Sequence, residues 1–120
     1  MAFQVNLTNE EAWSKEIAGS QSGVVQVVEV YQDWCGPCKA VVTTLKKQFF
    51  ELGERPLKFY TANCKHISAL DKFSGHCEPV FVFYQDGKLI ATVSGVNAPV
   101  LCSSIDKLSA EAASAVAAKA

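Results

Sequence analysis

The chain has 120 residues, 49% of them hydrophobic, which is enough for one globular domain with a substantial core. Its 11 basic and 12 acidic residues leave a net charge of −1, so we expect no nucleic-acid-binding surface and no charged tail. The apolar runs are far shorter than the roughly 20 residues that span a bilayer, and the first residues lack the charged and apolar regions of a signal peptide. These features predict a cytoplasmic protein that does not contact a membrane.

The first predicted helix begins at Thr8, which can form a capping box with Glu11, and it runs through Ile17 to Gly19. The β-branched run at residues 24–31 follows. Because this run hardly alternates between apolar and polar residues, it predicts a central strand that is covered on both faces.

The second predicted helix follows the pentapeptide Trp34-Cys35-Gly36-Pro37-Cys38 and ends near Gly53. Its apolar positions recur at the spacing of one helix face: Cys38, Val41, Val42, Leu45, Phe49 and Leu52. Cys38 therefore belongs to the buried stripe, whereas Cys35 lies at the helix N-terminus outside it. The periodicity alone makes the two cysteines unequal.

The remaining pattern predicts a strand at 57–62, a short helix at 67–73, a strand at 80–84, a hairpin turn at Asp86-Gly87, a strand at 89–93 and a helix that starts at Asn97 or Pro99. Residues 1–7 can add an edge strand. We predict a single α/β domain at residues 1–109, with a mixed central sheet flanked by helices on both faces. The alanine-rich residues 110–120 form a helix extension or a frayed tail.

The number of cysteines limits the chemistry that the chain can carry out. There are five: Cys35, Cys38, Cys64, Cys77 and Cys102. An odd number without a signal sequence favours a reducing compartment over a secreted disulfide framework. In such a compartment, two cysteines separated by two residues are more often catalytic or metal-binding than structural.

Thiol–disulfide exchange is the chemistry that suits the Cys35–Cys38 pair. A helix N-terminus stabilises a thiolate, so Cys35 is the predicted nucleophile and the buried Cys38 resolves the mixed disulfide. Pro37 fits the first helical turn, where a missing N–H costs little, and Gly36 leaves room for the backbone of a partner. This chemistry requires no cofactor and no metal.

Two alternatives apply to the same cysteines. A zinc site needs two further ligands, which Cys64, His66, His76 and Cys77 could supply by composition. The Gly-Pro insertion and the lack of a second such cysteine pair argue against zinc, and a purely structural disulfide is less favoured still. Separately, Pro79 stands directly before a buried strand, where either a cis or a trans peptide bond is open.

The motif Trp34-Cys35-Gly36-Pro37-Cys38-Lys39, the strand after Pro79, the Asp86-Gly87 turn and Gly95 resemble the thioredoxin family over about residues 5–109. The resemblance implies a thioredoxin-like fold, a cis proline facing the active cysteines, and protein-disulfide oxidoreductase chemistry. It also implies that Glu29 takes the place of a buried acid that assists proton transfer at the second cysteine. The implied substrate or partner groove comprises Trp34, Gly36, Pro37, Glu78, Pro79 and Gly95.

Three residues depart from the family pattern. Glu29 stands where aspartate is usual, Tyr60 is assigned to the place of a lysine that partners the acid, and Glu78 precedes Pro79 where threonine or isoleucine is usual. If the bond before Pro79 is cis, the Glu78 carboxylate lies near Cys35 and disfavours its thiolate. We therefore predict a Cys35 thiol that is less acidic than in an ordinary thioredoxin, and repulsion of acidic substrates and of the usual reductase.

A narrower resemblance covers residues 30–38, 77–83 and 95–99, which are similar to the thioredoxin-like light chains of the flagellar outer dynein arm and to the thioredoxin domain fused to nucleoside diphosphate kinase modules. It implies a redox-sensitive light chain in the ciliary or flagellar axoneme. Its partners would be protein thiols and disulfides, and the dynein heavy chain or other outer-arm subunits. The alternative is a general cytosolic thioredoxin that reduces protein disulfides.

Overall fold

The computed structural model describes residues 4–19, 23–31, 39–53, 55–73, 80–94 and 98–119. In chain order the elements are strand β1 (Gln4–Leu7), helix α1 (Glu10–Trp13) with a π-helical continuation (Ser14–Ala18), strand β2 (Val25–Tyr31), helix α2 (Lys39–Glu51), strand β3 (Leu57–Asn63), two short 3₁₀ helices (Cys64–His66 and Ser68–Phe73), strands β4 (Val80–Gln85) and β5 (Lys88–Ser94), and helix α3 (Ala98–Lys119).

The five strands form one sheet in the order β1-β3-β2-β4-β5. The pairs β1–β3 and β2–β3 are parallel, whereas β2–β4 and β4–β5 are antiparallel. The predicted mixed sheet is therefore confirmed, and the edge strand expected within residues 1–7 is β1.

The sheet divides the core into two clusters because the side chains of each strand alternate between its faces. Val28 and Val30 of β2 pack on the side of α1, with Trp13 and Ile17. Val25 and Val27 pack on the opposite side, against α2 and α3, whose buried residues there include Leu45, Leu101 and Ile105. The prediction of a central strand covered on both faces is confirmed.

The start of α1 differs from the prediction by one residue. Asn9, with extended backbone angles, caps the helix by accepting a hydrogen bond from the backbone N–H of Ala12 at 2.8 Å. The predicted capping box from Thr8 to Glu11 is therefore wrong. Asparagine is among the strongest N-cap residues and ranks above threonine, so the helix begins at Glu10 and not one residue earlier.

The turn between β4 and β5 is the Asp-Gly hairpin that the sequence predicts. Asp86 and Gly87 both have positive φ, 53° and 80°, as a two-residue hairpin loop of type I′ requires. The Asp86 carboxylate accepts from the backbone N–H of Gly23 at 2.9 Å, and the Gln85 amide donates to the Gly23 carbonyl at 3.0 Å. These contacts tie the hairpin to the start of β2.

Helix α3 continues without a break through the alanine-rich segment to Lys119. Ala112 in this segment is buried against the α2–α3 core. Arg55 joins the helix to the loop after α2, because its Nη1 donates to the Asp106 carboxylate at 2.5 Å and to the Ser109 hydroxyl at 3.2 Å. Within the described ranges, no helix combines the length and the apolar character needed to cross a membrane.

Candidate functional site

The strands β2, β4 and β5 begin or end side by side at one end of the sheet. Val30 pairs with Val80, and Val80 pairs with Ser94, so these positions of β2, β4 and β5 lie in one row. Along the chain, β2 leads into the two-cysteine motif, Glu78-Pro79 leads into β4, and β5 leads into Gly95. The described strand ends that stand next to the candidate site residues in the sequence therefore lie side by side.

Most of the predicted site residues lie outside the described residues: Trp34, Cys35, Gly36, Pro37, Cys38, Glu78, Pro79 and Gly95. The peptide bond between Glu78 and Pro79 lies outside them as well, as do His76 and Cys77. The roles of these residues, the cis bond and the acidity of the Cys35 thiol stay predictions.

Glu29 is the predicted site residue that the structure does describe. It lies on β2, pairs with Thr61 of β3 and Phe81 of β4, and is only 1% exposed. Alternation along β2 places it on the same face as Val27, the face that α2 and α3 cover. A buried carboxylate is stable only with hydrogen-bond donors or an opposite charge beside it. One donor is the Gln4 side chain, whose Nε2 lies 3.4 Å from the Glu29 Oε1.

A second group of hydrogen bonds lies beside this pair. The Asn6 Oδ1 accepts from the Tyr31 hydroxyl and from the Thr61 hydroxyl, both at 3.1 Å. Asn6 pairs with Thr61, and Thr61 pairs with Glu29, so these positions share one face. We call the five residues Gln4, Asn6, Glu29, Tyr31 and Thr61 the polar row. It crosses β1, β3 and β2 close to the end of β2 at Tyr31.

Four members of the polar row are not predicted by the residue pattern: Gln4, Asn6, Tyr31 and Thr61. No local signal marks them, because they meet only through the pairing of β1 with β3 and of β3 with β2. The alternation of polar and apolar residues in β1 was the one available hint, and it identifies a face without naming a partner.

The assignment of Tyr60 to the position beside the acid is wrong. Tyr60 pairs with Val28 and packs in the core on the side of α1, whereas Thr61 is the β3 residue opposite Glu29. A shift of one position along a strand moves a side chain to the other face. The Tyr60 hydroxyl instead accepts from the Gln26 amide at 3.3 Å, and burial raises the pKa of Tyr60 above its ordinary value.

The other cysteines in the described ranges lie away from the polar row. Cys64 is buried in the core on the side of α1. Cys102 is half-buried on α3, where it borders a groove that Leu52, just after the end of α2, also lines. Across the described part of the chain, no three histidine, cysteine or acidic side chains come together as metal ligands. Of the residues named for the zinc alternative, Cys35, Cys38, His76 and Cys77 lie outside that part.

The family model for thioredoxin matches residues 4–107 of the chain. Among relatives of known function, the Chlamydomonas reinhardtii flagellar outer arm dynein 14 kDa light chain is 46% identical over 109 residues, which cover 91% of this chain and 84% of the light chain. The human thioredoxin domain-containing protein 6 is 45% identical over 112 residues, but the match covers only 33% of that longer protein.

Solved thioredoxin structures share the fold at lower identity. Thioredoxin from Fasciola hepatica superimposes with a TM-score of 0.69 at 26% identity, over 87% of this chain and 98% of that one. Chlamydomonas reinhardtii thioredoxin f2 gives a TM-score of 0.69 at 25% identity, over 87% and 94% of the two chains. The predicted thioredoxin-like fold is confirmed, as is the narrower resemblance to the outer-arm light chain.

Proposed function

Because the chain belongs to the thioredoxin family, we propose that it is a redox-sensitive light chain of the axonemal outer dynein arm. The observation that carries the proposal is the 46% identity to the outer-arm light chain over 91% of this chain and 84% of that protein. Identity to the two solved thioredoxins compared above is only 25–26%. The dynein-arm function is therefore favoured over that of a general cytosolic thioredoxin.

The redox part of the proposal is a two-step exchange. The Cys35 thiolate attacks one sulfur of a partner disulfide, which forms a mixed disulfide and releases one partner thiolate. Cys38 then gives its thiol proton to Glu29 and attacks the Cys35 sulfur. The second partner thiolate leaves, so the Cys35–Cys38 dithiol has supplied two electrons to the partner and has become a disulfide. The proton held by Glu29 returns to solvent or to the departing thiolate.

The burial of Glu29 supports its part in this exchange. A carboxylate on the covered face of β2, two residues before the end of the strand, costs stability unless it has partners. Buried titratable groups next to a candidate site are frequently the groups that move protons there. The groove residues Trp34, Gly36, Pro37, Glu78, Pro79 and Gly95 would hold the backbone of the partner protein, with no metal or cofactor taking part.

The docking part of the proposal is that the domain binds the dynein heavy chain or another outer-arm subunit in the axoneme. Oxidation of the Cys35–Cys38 pair changes the chemistry beside the groove and so can change that binding. The two parts need separate tests, because docking does not require exchange.

Fractionation of flagella tests the docking part. The tagged chain should sediment with axonemes and leave with the outer arms on high-salt extraction. A variant with both Cys35→Ser and Cys38→Ser is the matched control, because it shows whether the chain docks without the two thiols. Absence of the wild-type chain from the high-salt extract would defeat the dynein assignment, and efficient recycling by thioredoxin reductase with rapid insulin reduction would favour the general thioredoxin.

A trapping variant tests the exchange part. Cys38→Ser removes the resolving thiol, so partner proteins should accumulate as mixed disulfides with Cys35 in oxidised flagellar extract. The double variant Cys35→Ser/Cys38→Ser controls for disulfides made by the other three cysteines. If the trapped bands are the same in both variants, the Cys35–Cys38 pair does not exchange with proteins in that extract.

A further inference from the structure

We propose that Gln4 is a positioning residue for Glu29: its amide, carried on the edge strand β1, orients the buried carboxylate and keeps it anionic. The proposal rests on the proposed exchange, in which that carboxylate accepts the proton of Cys38. Gln4 touches neither cysteine in this account and acts only through Glu29.

The sheet order makes the contact an unusual one. Gln4 and Glu29 lie on strands that are not neighbours, since β3 runs between β1 and β2. Adjacent strands lie about 4.8 Å apart, so the two backbones are separated by roughly 10 Å. Two long side chains on the same face are needed to close that distance. The Gln4 Nε2 and the Glu29 Oε1 do so at 3.4 Å, a long hydrogen bond.

The length of the Glu29 side chain fits this geometry. An aspartate at the same position would be shorter by one methylene, about 1.5 Å, and its carboxylate would fall short of the Gln4 amide. An asparagine at position 4 would fall short for the same reason. The departure from the family pattern at Glu29 is thus explained by the donor that the longer side chain reaches.

The surroundings of Glu29 make the donor important. Of the described residues, Glu29 is the one buried side chain that carries a carboxylate or cationic group. Beside the polar row, the buried core on its face includes the apolar side chains of Phe59 and Phe81 from the sheet, Leu45 from α2, and Leu101 and Ile105 from α3. Tyr31 is the titratable member of the polar row besides Glu29, and its hydroxyl donates to Asn6.

These surroundings fix the direction of the effect. Burial disfavours the anion, and an N–H donor that points at the carboxylate favours it. Removal of the donor should raise the pKa of Glu29, so that a smaller fraction of the carboxylate is ready to accept the Cys38 proton. At pH values well below the pKa of Glu29, the rate of the resolving step should fall in proportion to the ionised fraction of the carboxylate.

The pH dependence of the resolving step tests the proposal. The substrate is a small aromatic disulfide whose thiolate absorbs visible light. Attack by Cys35 releases one coloured thiolate, and attack by Cys38 on the mixed disulfide releases a second. The Cys38→Ser variant lacks the second release and so identifies that phase. In Gln4→Met, which keeps the length but removes the donor, the acid limb of the second phase should move up by about one pH unit. Its rate should then be about tenfold lower on that limb, with an unchanged plateau.

Two controls separate the amide from a general loosening of β1. Asn6→Ala removes the acceptor of the Tyr31 and Thr61 hydroxyls on the same strand and should leave the midpoint unchanged. In a Glu29→Asp background, where the contact is already out of reach, Gln4→Met should move the midpoint little. A wild-type midpoint in Gln4→Met overturns the proposal, as does an equal shift in Asn6→Ala or in the Glu29→Asp background. A wild-type chain without any second phase overturns the exchange itself.

Discussion

The hairpin turn at Gly87 offers the sharpest test of the fold. Gly87 has a φ of 80°, and a Cβ added there would lie 2.6 Å from the Ala18 carbonyl oxygen. That oxygen belongs to the backbone at the end of the π-helical turn, so it cannot rotate away as a flexible side chain would. Gly87→Ala therefore combines a strained backbone conformation with a collision that only a shift of the hairpin relieves.

The two costs of Gly87→Ala can be estimated separately. A non-glycine residue in the left-handed region costs about 1–2 kcal/mol. Overpacking that forces a backbone shift costs about 1–3 kcal/mol. We expect the free energy of unfolding to fall by about 2–5 kcal/mol, a large part of the roughly 5–15 kcal/mol that holds a domain folded. At about 4 °C per kcal/mol for a domain of this size, the thermal midpoint should fall by roughly 8–20 °C.

Denaturation by guanidinium chloride measures the loss, and Gly53→Ala is the matched control. A Cβ at Gly53 would lie 3.5 Å from the Phe49 carbonyl oxygen, an ordinary contact. We expect Gly53→Ala to change the free energy of unfolding by less than about 1 kcal/mol. If Gly87→Ala were as stable as Gly53→Ala, with an unchanged dependence on denaturant, the close approach of the turn to Ala18 would be refuted.

Three further predictions concern the helix start, alkaline pH and the thiol. Asn9→Ala should lower the free energy of unfolding by about 1 kcal/mol, whereas Thr8→Ala should change it by less than about 0.5 kcal/mol; equal losses in denaturation would contradict the Asn9 cap. Burial raises the pKa of Tyr60, so its contribution is complete below pH about 10 and is lost as pH rises through the folded value. Tyr60→Phe should accordingly flatten the alkaline fall in stability, and an unchanged slope would refute this. Glu78→Thr should lower the Cys35 pKa in a thiolate absorbance titration, and no fall would contradict the proposed repulsion.

The sequence predicts those features that depend on residues close together along the chain. The uninterrupted β-branched run of β2 requires cover on both faces, and the Asp86-Gly87 pair requires a tight hairpin. The choice between Thr8 and Asn9 as helix cap depends on a difference of a few tenths of a kcal/mol, which a pattern of residue types does not resolve. The order of the elements and the class of the fold can therefore be predicted from local pattern, whereas the residues at which helices and strands begin or end are predicted less accurately.

Cross-strand partners require the register, which the sequence does not contain. Tyr60 and Thr61 are equally plausible neighbours of Glu29 until the pairing of β2 with β3 is known, and one position decides the face. Gln4 is harder still, because it reaches Glu29 across an intervening strand. The nucleophile and the resolving thiol could be assigned from their motif, whereas the groups that tune the proton acceptor could not.

The two ends of the sheet should respond differently to pH. If Gln4→Met raises the pKa of Glu29 in the folded protein by about one unit, the variant loses about 1.4 kcal/mol of stability wherever the carboxylate is ionised in both the folded and the unfolded state, and loses nothing where it is protonated in both. Gln4→Met should therefore destabilise the protein at neutral pH and lose that effect in acid. Gly87→Ala lies at the opposite end of β4 from Val80, so its loss should be similar at both pH values and its exchange profile should match the wild type. Unfolding measured at pH 7 and at pH 3 separates the two, and a pH-independent loss in Gln4→Met would show that its amide only packs β1 onto the sheet.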